Sequence, residues 1–395
     1  MTTTRANAEP TSRERVTAAI HHREPDRLPF DLGGTVVTGI HHHAYRRLRR
    51  HLGLPQDAME IEDVRQQLAL VGDDVRARLR VDTCPIKPGP PHGFTMPRWA
   101  EDGYDKLRDE WGIEWWRPQD GGFYYDMRKH PLADVGSVHE LSRWQFPDPR
   151  NPGRFERLAA RADDALNRRQ MAGILGRHTA GMFEMASWLR GFETFYCDML
   201  ADRPMAEALL DIVCENKMEY WRGALAAVGA DVMIVAEADD LASQDRLLMA
   251  PELYRDLLKP RHARLFECIR KHAAADVKIF FHSCGAVAPL IPDLIEAGVD
   301  ILNPVQVSAD GMDTRELKRR FGRDITFWGG GVDTQYMLPR GTPAEVRDEV
   351  RRRIDDLAPG GGFVFATVHN IQADVPPENI EAMWETLQEY GAGIR

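Results

Sequence analysis

A histidine and a cysteine, His282 and Cys284, stand one residue apart in the stretch KIFFHSCGAV. They follow a short apolar run, and side chains two positions apart on an extended strand end point to the same side. Imidazole nitrogen and cysteine thiolate are preferred ligands of Zn2+, so such a pair can chelate a metal ion. A His-x-Cys pair alone is more often structural, with a small buried cysteine and a hydrogen-bonded histidine. A metal site therefore needs further ligands from elsewhere in the chain.

Two other stretches offer side chains that could complete such a site. His369, in FATVHN, is the natural third ligand. Glu237 and Asp239 belong to EADDLASQ, which follows a buried run, and they could complete the ligand shell, orient a ligand from outside it or serve as acid–base groups. The alternative for these carboxylates is a helix N-terminus, where aspartate caps exposed N–H groups.

A glycine-rich stretch, FWGGGVD, precedes a predicted helix and contains Gly330 and Asp333. Glycines in front of a helix can admit a carboxylate or phosphate to backbone N–H groups, which would make these residues part of a substrate site. A tight turn explains the same pattern equally well.

The elements that must position these residues alternate in type. Eight β-prone runs occur, at residues 27–33, 78–86, 171–177, 231–238, 277–283, 299–305, 324–330 and 361–368. Most are separated by stretches with helical spacing of apolar residues, as in TPAEVRDEVRRRIDDL. Strands alternating with helices predict a parallel sheet, and eight of them predict a (β/α)8 TIM barrel. No Gly-x-Gly-x-x-Gly follows the first run, which disfavours a dinucleotide-binding fold.

Catalytic side chains of such barrels stand at the carboxyl ends of the strands. The residues read just past the predicted strands are Asp82, His178, Glu237, Asp239, Asp240, His282, Cys284, Gln306, the stretch 329–333 and His369. Polar and ionisable groups therefore collect where this fold carries out chemistry.

Composition restricts the class of protein. Hydrophobic residues make up 43% and charged residues 28% of the 395 residues, and the formal net charge is -10. A negative net charge argues against sequence-independent binding of nucleic acid. The five cysteines form no Cys-x-x-Cys, which favours a reducing compartment. Without an apolar signal core or an apolar run of about 18 residues, the expected location is the cytoplasm, with no membrane contact.

Two further clusters have ordinary explanations. The histidines at 41–43 resemble a metal tract but fall in a polar helical stretch, so we expect them at the surface. Trp99, Trp111, Trp115 and Trp116 could form an aromatic substrate wall, although core packing is the preferred explanation. We expect one domain over residues 1–395, with residues 1–11 flexible.

Several stretches together resemble the uroporphyrinogen decarboxylase superfamily. They are SRERVTAAIHHREPDRLPF (12–30), MASWLRGFE (185–193), HSCG (282–285), DILNPVQ (300–306), WGGGVDT (328–334) and VHNIQADVPPENI (368–380). The resemblance covers nearly the whole chain, and the opening segment and the last three stretches are its most specific parts. It implies a (β/α)8 barrel, in agreement with the strand count.

One branch of that superfamily, the cobalamin-linked methyltransferases, holds zinc with a His-x-Cys pair and a distant cysteine. His282 and Cys284 match the pair, and His369 stands where the distant cysteine is expected. Histidine is a competent zinc ligand, so a His/Cys/His site remains feasible. The resemblance then implies methyl transfer between a small methylated substrate or thiol and a corrinoid. The chain has no Asp-x-His-x-x-Gly, so the corrinoid would come on a partner protein.

Under this hypothesis Glu237 is a fourth ligand or a nearby base, and Asp239 acts beside it. The pocket would be lined by Asp82, His178, Gln306, Gly330 and Asp333.

The alternative is a cofactor-free decarboxylase of uroporphyrinogen or a related carboxylate. Such a substrate needs arginine clamps. The decarboxylases carry an arginine-rich stretch after the first strand, where this chain has DLGGTVVTGI without any arginine; Asp82 could match the family aspartate. A third alternative is a non-catalytic protein that binds metal or corrinoid. Fold alone does not decide between these functions. The methyltransferase hypothesis is favoured because the arginine-rich stretch of the decarboxylases is missing.

Overall fold

The computed structural model describes residues 9–56, 59–274 and 276–392. Residues 1–8, most of the segment expected to be flexible, lie outside the described residues. Thr11 is the N-cap of the first helix: its hydroxyl accepts from the Glu14 backbone N–H, and the Glu14 carboxylate accepts from the Thr11 N–H. This reciprocal pair satisfies two backbone donors that helix geometry leaves without intrahelical partners.

The strands within the described residues are β1 (Ile61–Asp63), β2 (Leu68–Ala69), β3 (Thr83–Ile86), β4 (Arg98–Glu101), β5 (Tyr104–Arg108), β6 (Glu114–Pro118), β7 (Asp126–Lys129), β8 (Ala172–Leu175), β9 (Ile234–Ala238), β10 (Lys278–His282), β11 (Ile301–Asn303), β12 (Thr326–Trp328) and β13 (Phe363–Val364). The helices are α1 (Ser12–Ile20), α2 (His42–His51), α3 (Asp73–Arg78), α4 (Val138–Leu141), α5 (Leu158–Asp163), α6 (Met182–Arg190), α7 (Phe192–Ala201), α8 (Arg203–Val228), α9 (Pro251–Leu253), α10 (Lys259–His272), α11 (Ile291–Ala297), α12 (Thr314–Phe321), α13 (Met337–Arg340), α14 (Pro343–Leu357) and α15 (Pro377–Tyr390).

Seven strands form one parallel sheet in the order β13-β12-β11-β10-β9-β8-β3. The chain around Phe30 joins the two edges of this sheet. The Asp31 N–H donates to the Phe365 carbonyl over 2.9 Å, and the Asp82 N–H donates to the Phe30 carbonyl over 2.8 Å. Backbone pairing therefore runs around eight positions, one from each predicted β-prone run. The prediction of a TIM-barrel α/β fold is confirmed.

Alternation of side chains along the strands divides the core into two parts. Ile174, Ala236, Phe280, Ile301 and Trp328 pack together inside the barrel. Their neighbours along the same strands point outwards and pack against the surrounding helices. Because both faces of these strands are buried, the strands read as continuous apolar runs rather than as alternating patterns.

Helix α1 lies across the amino-terminal end of the barrel, where Val16 and Ile20 join the interior cluster. Asp82 also lies at this end, directly before β3. Its carboxylate forms ion pairs with Arg15 at 2.9 Å and with Arg27 at 2.8 Å. Asp82, predicted to bind substrate, is therefore placed at the end of the barrel opposite the mouth, because the strand begins after this residue instead of ending before it.

An antiparallel sheet of four strands, β4-β5-β6-β7, and the β1–β2 pair were not predicted from the sequence. Both belong to the long connections at the carboxyl end of the barrel. The Tyr125 N–H donates to the Arg65 carbonyl over 2.8 Å and joins the two insertions. Trp111 and Trp115 are buried in the main core, as expected from packing.

The histidine tract at 41–43 only partly fits the expected surface position. His43 is exposed, but His41 is 1% exposed. His41 is the N-cap of α2, and its side chain accepts from the His43 N–H. The other ring nitrogen lies 2.9 Å from the Phe123 carbonyl. The surface prediction is wrong for His41, because the tract begins the helix and does not lie on its outer face. Within the described residues, no helix combines the length and apolarity needed to cross a bilayer.

Candidate metal centre at the barrel mouth

Three side chains, named the metal group because their atoms are suited to hold a metal ion, meet at the carboxyl end of the barrel: His282, Cys284 and His369. Each contributes one ligand atom, and these atoms lie within 4.8 Å of one another. The Cys284 Sγ is 3.3 Å from the His282 Nε2. Two ligand atoms of a tetrahedral zinc ion lie roughly 3.5 Å apart, given bond lengths of about 2.0 to 2.3 Å. The arrangement is thus close to a zinc geometry and needs only a small contraction around His369.

Strand register places His282 inside the barrel. On β10, Phe280 belongs to the interior cluster, so His282, two residues later, also points inwards. Its Nδ1 lies 2.6 Å from the Oδ1 of Asn303 on the neighbouring strand. The Asn303 amide nitrogen donates to the Trp328 carbonyl over 2.9 Å, which fixes the amide orientation. His282 therefore carries its proton on Nδ1 and turns the lone pair of Nε2 towards Cys284.

The loop that carries Cys284 is held by side chains from two neighbouring connections. The Cys284 N–H donates to the Asp240 carboxylate over 2.8 Å, and the Gly285 N–H donates to the Gln306 Oε1 over 2.7 Å. Gly285 has φ +89°, and a Cβ there would lie 2.4 Å from the Ser243 carbonyl oxygen. The turn therefore requires glycine, and this turn sets the direction of the thiol.

Electrostatics favour neutral nitrogen ligands beside an un-ionised thiol. Burial lowers the pKa of His282 to about 3 and that of His369 to about 4, so both imidazoles are neutral at pH 7. Burial and the nearby carboxylates of Asp240 and Glu184 raise the pKa of the Cys284 thiol well above its usual range. Burial also raises the pKa of Glu184 to about 8, with Asp240 adding to it. The cluster is short of positive charge, which a divalent cation would supply.

Glu237 does not reach this group. It lies level with Phe281 on the adjacent strand and points outwards, whereas the next residue lies level with His282. Its carboxylate forms a buried ion pair with Lys217 at 2.8 Å and accepts from the Trp221 Nε1. The structure therefore does not bring Glu237, predicted as a zinc ligand or base, to the three ligands, because the strand turns its side chain away from the barrel interior.

Asp239 serves as a helix cap, which was the alternative considered for this stretch. Its two carboxylate oxygens accept from the backbone N–H groups of Phe183 and Glu184, each over 2.9 Å, at the start of α6. His262 lies 3.2 Å from the same carboxylate. Asp239 is 0% exposed. These contacts occupy its oxygens and leave no exposed surface, so the structure favours the capping alternative, and a catalytic role of Asp239 stays an untested prediction.

The glycine-rich stretch is a packed turn. Gly330 is buried, and a Cβ there would lie 2.7 Å from the Val305 side chain. The Asp333 carboxylate accepts from the backbone N–H groups of residues 335–337. Asp333 thus occupies N–H groups that an anionic ligand would need, and a role of Gly330 and Asp333 in substrate binding stays a prediction.

Two cavities open at the barrel mouth, and they meet at Arg65. The larger, named the Cys284 cavity, has a volume of about 580 Å3. It is lined by Cys284, His369, Gln306, Arg65 and the insertion residues Tyr124 and Tyr125, among others. The smaller, named the Trp111 cavity, has a volume of about 440 Å3 and is lined by Trp111, Arg65, Arg177 and His178, among others. Both volumes are in the range of small-molecule sites.

His178 and Gln306 are at the mouth, as their strand positions predicted. His178 lines the Trp111 cavity, its Nε2 lies 2.9 Å from the Asn216 Oδ1, and its ring packs on Tyr220 at 4.4 Å. Gln306 lines the Cys284 cavity. Their role in binding a substrate stays a prediction.

Sequence reasoning missed three charged residues near the metal group: Glu184, Arg65 and Arg177. Asp240 stands among the strand-end carboxylates of EADDLASQ but has no individual role in the sequence analysis. Its Oδ1 lies 3.8 Å from the His282 Nε2. Arg177 directly precedes His178, so the strand-end rule could have found it. Arg65 and Glu184 lie on elements that no local pattern connects to the site.

Comparison with known proteins agrees with this architecture. Residues 131–390 match the family model described as uroporphyrinogen decarboxylase (URO-D). A uroporphyrinogen decarboxylase of Thioalkalivibrio sulfidiphilus is 23% identical over 277 residues, which cover 67% of this chain and 71% of that protein. One of Pseudoalteromonas translucida is 34% identical over 77 residues, which cover 20% of this chain and only 21% of that protein.

A solved structure shares the fold over almost the full length. The structure of a methyltransferase from Methanosarcina mazei superposes with a TM-score of 0.62 at 20% identity and covers 96% of this chain and 99% of its own. At that identity the likeness establishes the fold alone. Because the family model matches well over half of the chain, the protein belongs to the uroporphyrinogen decarboxylase family.

Proposed function

We propose that this protein is a zinc-dependent methyltransferase that moves a methyl group between a small methylated substrate or thiol and a corrinoid carried by a partner protein. The observation that carries the proposal is the convergence of His282, Cys284 and His369, whose ligand atoms lie within 4.8 Å of one another. A cysteine and two neutral histidines form a donor set suited to zinc, with a fourth position left for a reactant.

The chain's own residues would hold and orient this site. His282, Cys284 and His369 would bind the ion, while Asn303 keeps the His282 ring in place through the 2.6 Å hydrogen bond. Asp240 holds the Cys284 backbone and places a carboxylate beside the site. Zinc, when bound, would supply a Lewis acid that binds a heteroatom and lowers the pKa of a thiol.

The lining of the Cys284 cavity supports a neutral, hydrogen-bonding reactant. Five carboxamide side chains line it: Gln66, Gln306, Gln335, Asn370 and Gln372. The charged residues in its lining are Arg65 and Asp374, one of each sign. Several of these groups also bond within the protein, as Gln306 Oε1 does with the Gly285 N–H. The donors and acceptors that remain could pair with the peripheral carboxamides of a corrinoid.

A substrate that carries many carboxylates needs several unpaired cationic side chains in its site. The linings of both cavities argue against such a substrate. Residues 31–40, the stretch without arginine, contribute Gly34, Thr35 and Val36 to the wall of the Trp111 cavity. In that wall, Lys87 and Arg154 are already engaged by Glu62 and Glu110. Few cationic side chains are therefore free to pair with the carboxylates of a uroporphyrinogen-like substrate, which disfavours the decarboxylase alternative.

The first experiment measures the metal content of protein purified without chelators in zinc-supplemented medium. About one zinc per chain is expected in the wild type, and less than a tenth of that in His282→Ala, Cys284→Ser and His369→Ala. Cys197→Ser, an exposed cysteine outside the site, is the matched control and should keep its zinc. Folded, metal-free wild-type protein would refute the zinc site.

The second experiment separates the activities. Zinc-loaded protein is mixed with methylcobalamin and 2-mercaptoethanol, and demethylation of the corrinoid is followed by absorbance. Loss of the rate in Cys284→Ser supports methyl transfer. Decarboxylation of uroporphyrinogen by metal-free protein, with no demethylation of methylcobalamin, would replace the proposal by the decarboxylase alternative.

A further inference from the structure

The Trp111 cavity adjoins the Cys284 cavity at Arg65 but has a different lining. Its inner end is formed by Ile174 and Ala236, which belong to strands β8 and β9 of the barrel. The outer walls include Phe94, Met96 and Trp111. Apolar and aromatic side chains thus dominate it, as in sites that enclose the body of a small organic molecule.

Most charged side chains of this cavity are already paired. Lys87 lies 2.9 Å from Glu62, and Arg154 lies 2.5 Å from Glu110. Within the described parts of the chain, the Arg177 guanidinium forms neither a hydrogen bond nor an ion pair. The Glu184 and Asp240 carboxylates act on Arg177 through their charge without a hydrogen bond, so this half-buried arginine keeps its five N–H donors available for a ligand.

The other acidic side chains that line the Trp111 cavity do not pair with Arg177. The Asp109 carboxylate accepts from the Trp115 Nε1 over 2.9 Å and from the backbone N–H groups of Trp111 and Ile113, each over 3.0 Å. Asp63 accepts from the Gln66 N–H and lies 3.8 Å from Arg65. These carboxylates have partners of their own.

Arg177 also lies within electrostatic reach of the metal group. Its charge acts on Asp240 and Glu184, whose carboxylates in turn act on Cys284. The two cavities share Arg65 in their linings, so a ligand on Arg177 would occupy the cavity that adjoins the one lined by Cys284 and His369.

We infer that the Trp111 cavity binds a small monocarboxylate with an apolar ring, whose carboxylate pairs with the Arg177 guanidinium and whose ring lies against Trp111. The inference rests on the proposed function for its biological meaning, since it names this molecule as the methyl donor or acceptor. Binding itself requires no metal, because Arg177 and Trp111 are not ligands of the metal group.

The charge of the ligand should decide its affinity. A carboxylate pairs with a guanidinium through two parallel hydrogen bonds, and a neutral amide of the same shape does not. Hydrogen bonds to charged groups correspond to roughly a tenfold to hundredfold change in binding. The carboxylate should therefore bind at least about tenfold more tightly than its amide.

The experiment compares 4-methoxybenzoate with 4-methoxybenzamide by titration calorimetry on zinc-free and zinc-loaded protein. In the wild type we expect the benzoate to bind about tenfold or more tightly than the benzamide in both forms. Arg177→Gln should lose that preference and leave benzamide binding unchanged, while Arg177→Lys keeps part of it. Arg323→Gln, an exposed arginine at the other end of the barrel, is the matched control and should behave as wild type.

Equal binding of both probes to the wild type, or a preference that survives Arg177→Gln, would overturn the inference. Failure of the zinc site leaves the calorimetry unaffected, so the two ideas can fail separately. Conversely, zinc-dependent demethylation of methylcobalamin without selective benzoate binding would retain the proposed function and remove the assignment of this cavity.

Discussion

The buried pair of Lys217 and Glu237 offers the sharpest test of the corrected site. Both side chains are 1% exposed, and the charged atoms lie 2.8 Å apart. In Glu237→Gln, the retained Oε1 can still accept from the Trp221 Nε1. The substitution removes the negative charge and places an amide NH2 where the Lys217 ammonium had an acceptor. Leaving one member of a buried ion pair without its partner costs about 3–5 kcal/mol of the free energy of unfolding.

The assay is urea denaturation followed by tryptophan fluorescence, with the free energy of unfolding obtained by linear extrapolation. Glu385→Gln is the matched control, because Glu385 pairs with Arg347 at a similar 2.7 Å but is 37% exposed. An exposed pair contributes about 0–1 kcal/mol, so this control should change little. Zinc content should be unchanged in both variants.

A double variant makes the test independent of a general loss of packing. Adding Lys217→Met to Glu237→Gln removes the stranded charge but also the donor to the Ala180 carbonyl at 2.7 Å. The double variant should therefore regain about 1–3 kcal/mol relative to Glu237→Gln. Wild-type stability in Glu237→Gln combined with loss of zinc would refute this reasoning and return Glu237 to the metal site.

Three further predictions concern the groups that hold the site. Asp239→Ala leaves two α6 backbone donors without acceptors and should lower the free energy of unfolding by about 1–2 kcal/mol, measured by urea denaturation, whereas a change confined to the reaction rate would contradict the capping role. Asn303→Ala frees the His282 ring and should weaken zinc binding about 10- to 100-fold in a chelator competition; unchanged affinity would contradict its orienting role. Gly285→Ala meets the 2.4 Å contact at φ +89° and should reduce both zinc content and melting temperature, and wild-type values of both would show that the turn tolerates a side chain.

The barrel could be predicted from the sequence because each strand is an apolar run between helical stretches. The direction of individual side chains could not be predicted equally well. Glu237 and His282 both stand at strand ends, yet one points outwards and the other inwards, since Glu237 lies level with Phe281 on the neighbouring strand. A strand buried on both faces shows no alternation from which to read this difference.

The metal group was found because its chemistry is unusual at the level of residue type. The spacing of His282 and Cys284 depends only on one strand end, and the structure brings His369 to them. Arg177 and Arg65 were missed because arginine is common, and only the tertiary structure shows that Arg65 borders both cavities. The strands between residues 98 and 129 were missed because much of their surface remains exposed, so they lack the apolar runs of the barrel.

Helix α1 closes the amino-terminal end of the barrel, and both cavities lie at the opposite end. Reactants that meet at the metal group must therefore arrive from the same side of the molecule. A protein docked there would enclose any small molecule already inside the Trp111 cavity. Steady-state kinetics should accordingly be ordered, with the small molecule binding first and its product leaving last. Under the proposed function, a barrel closed at one end would thus determine the order in which the two reactants bind.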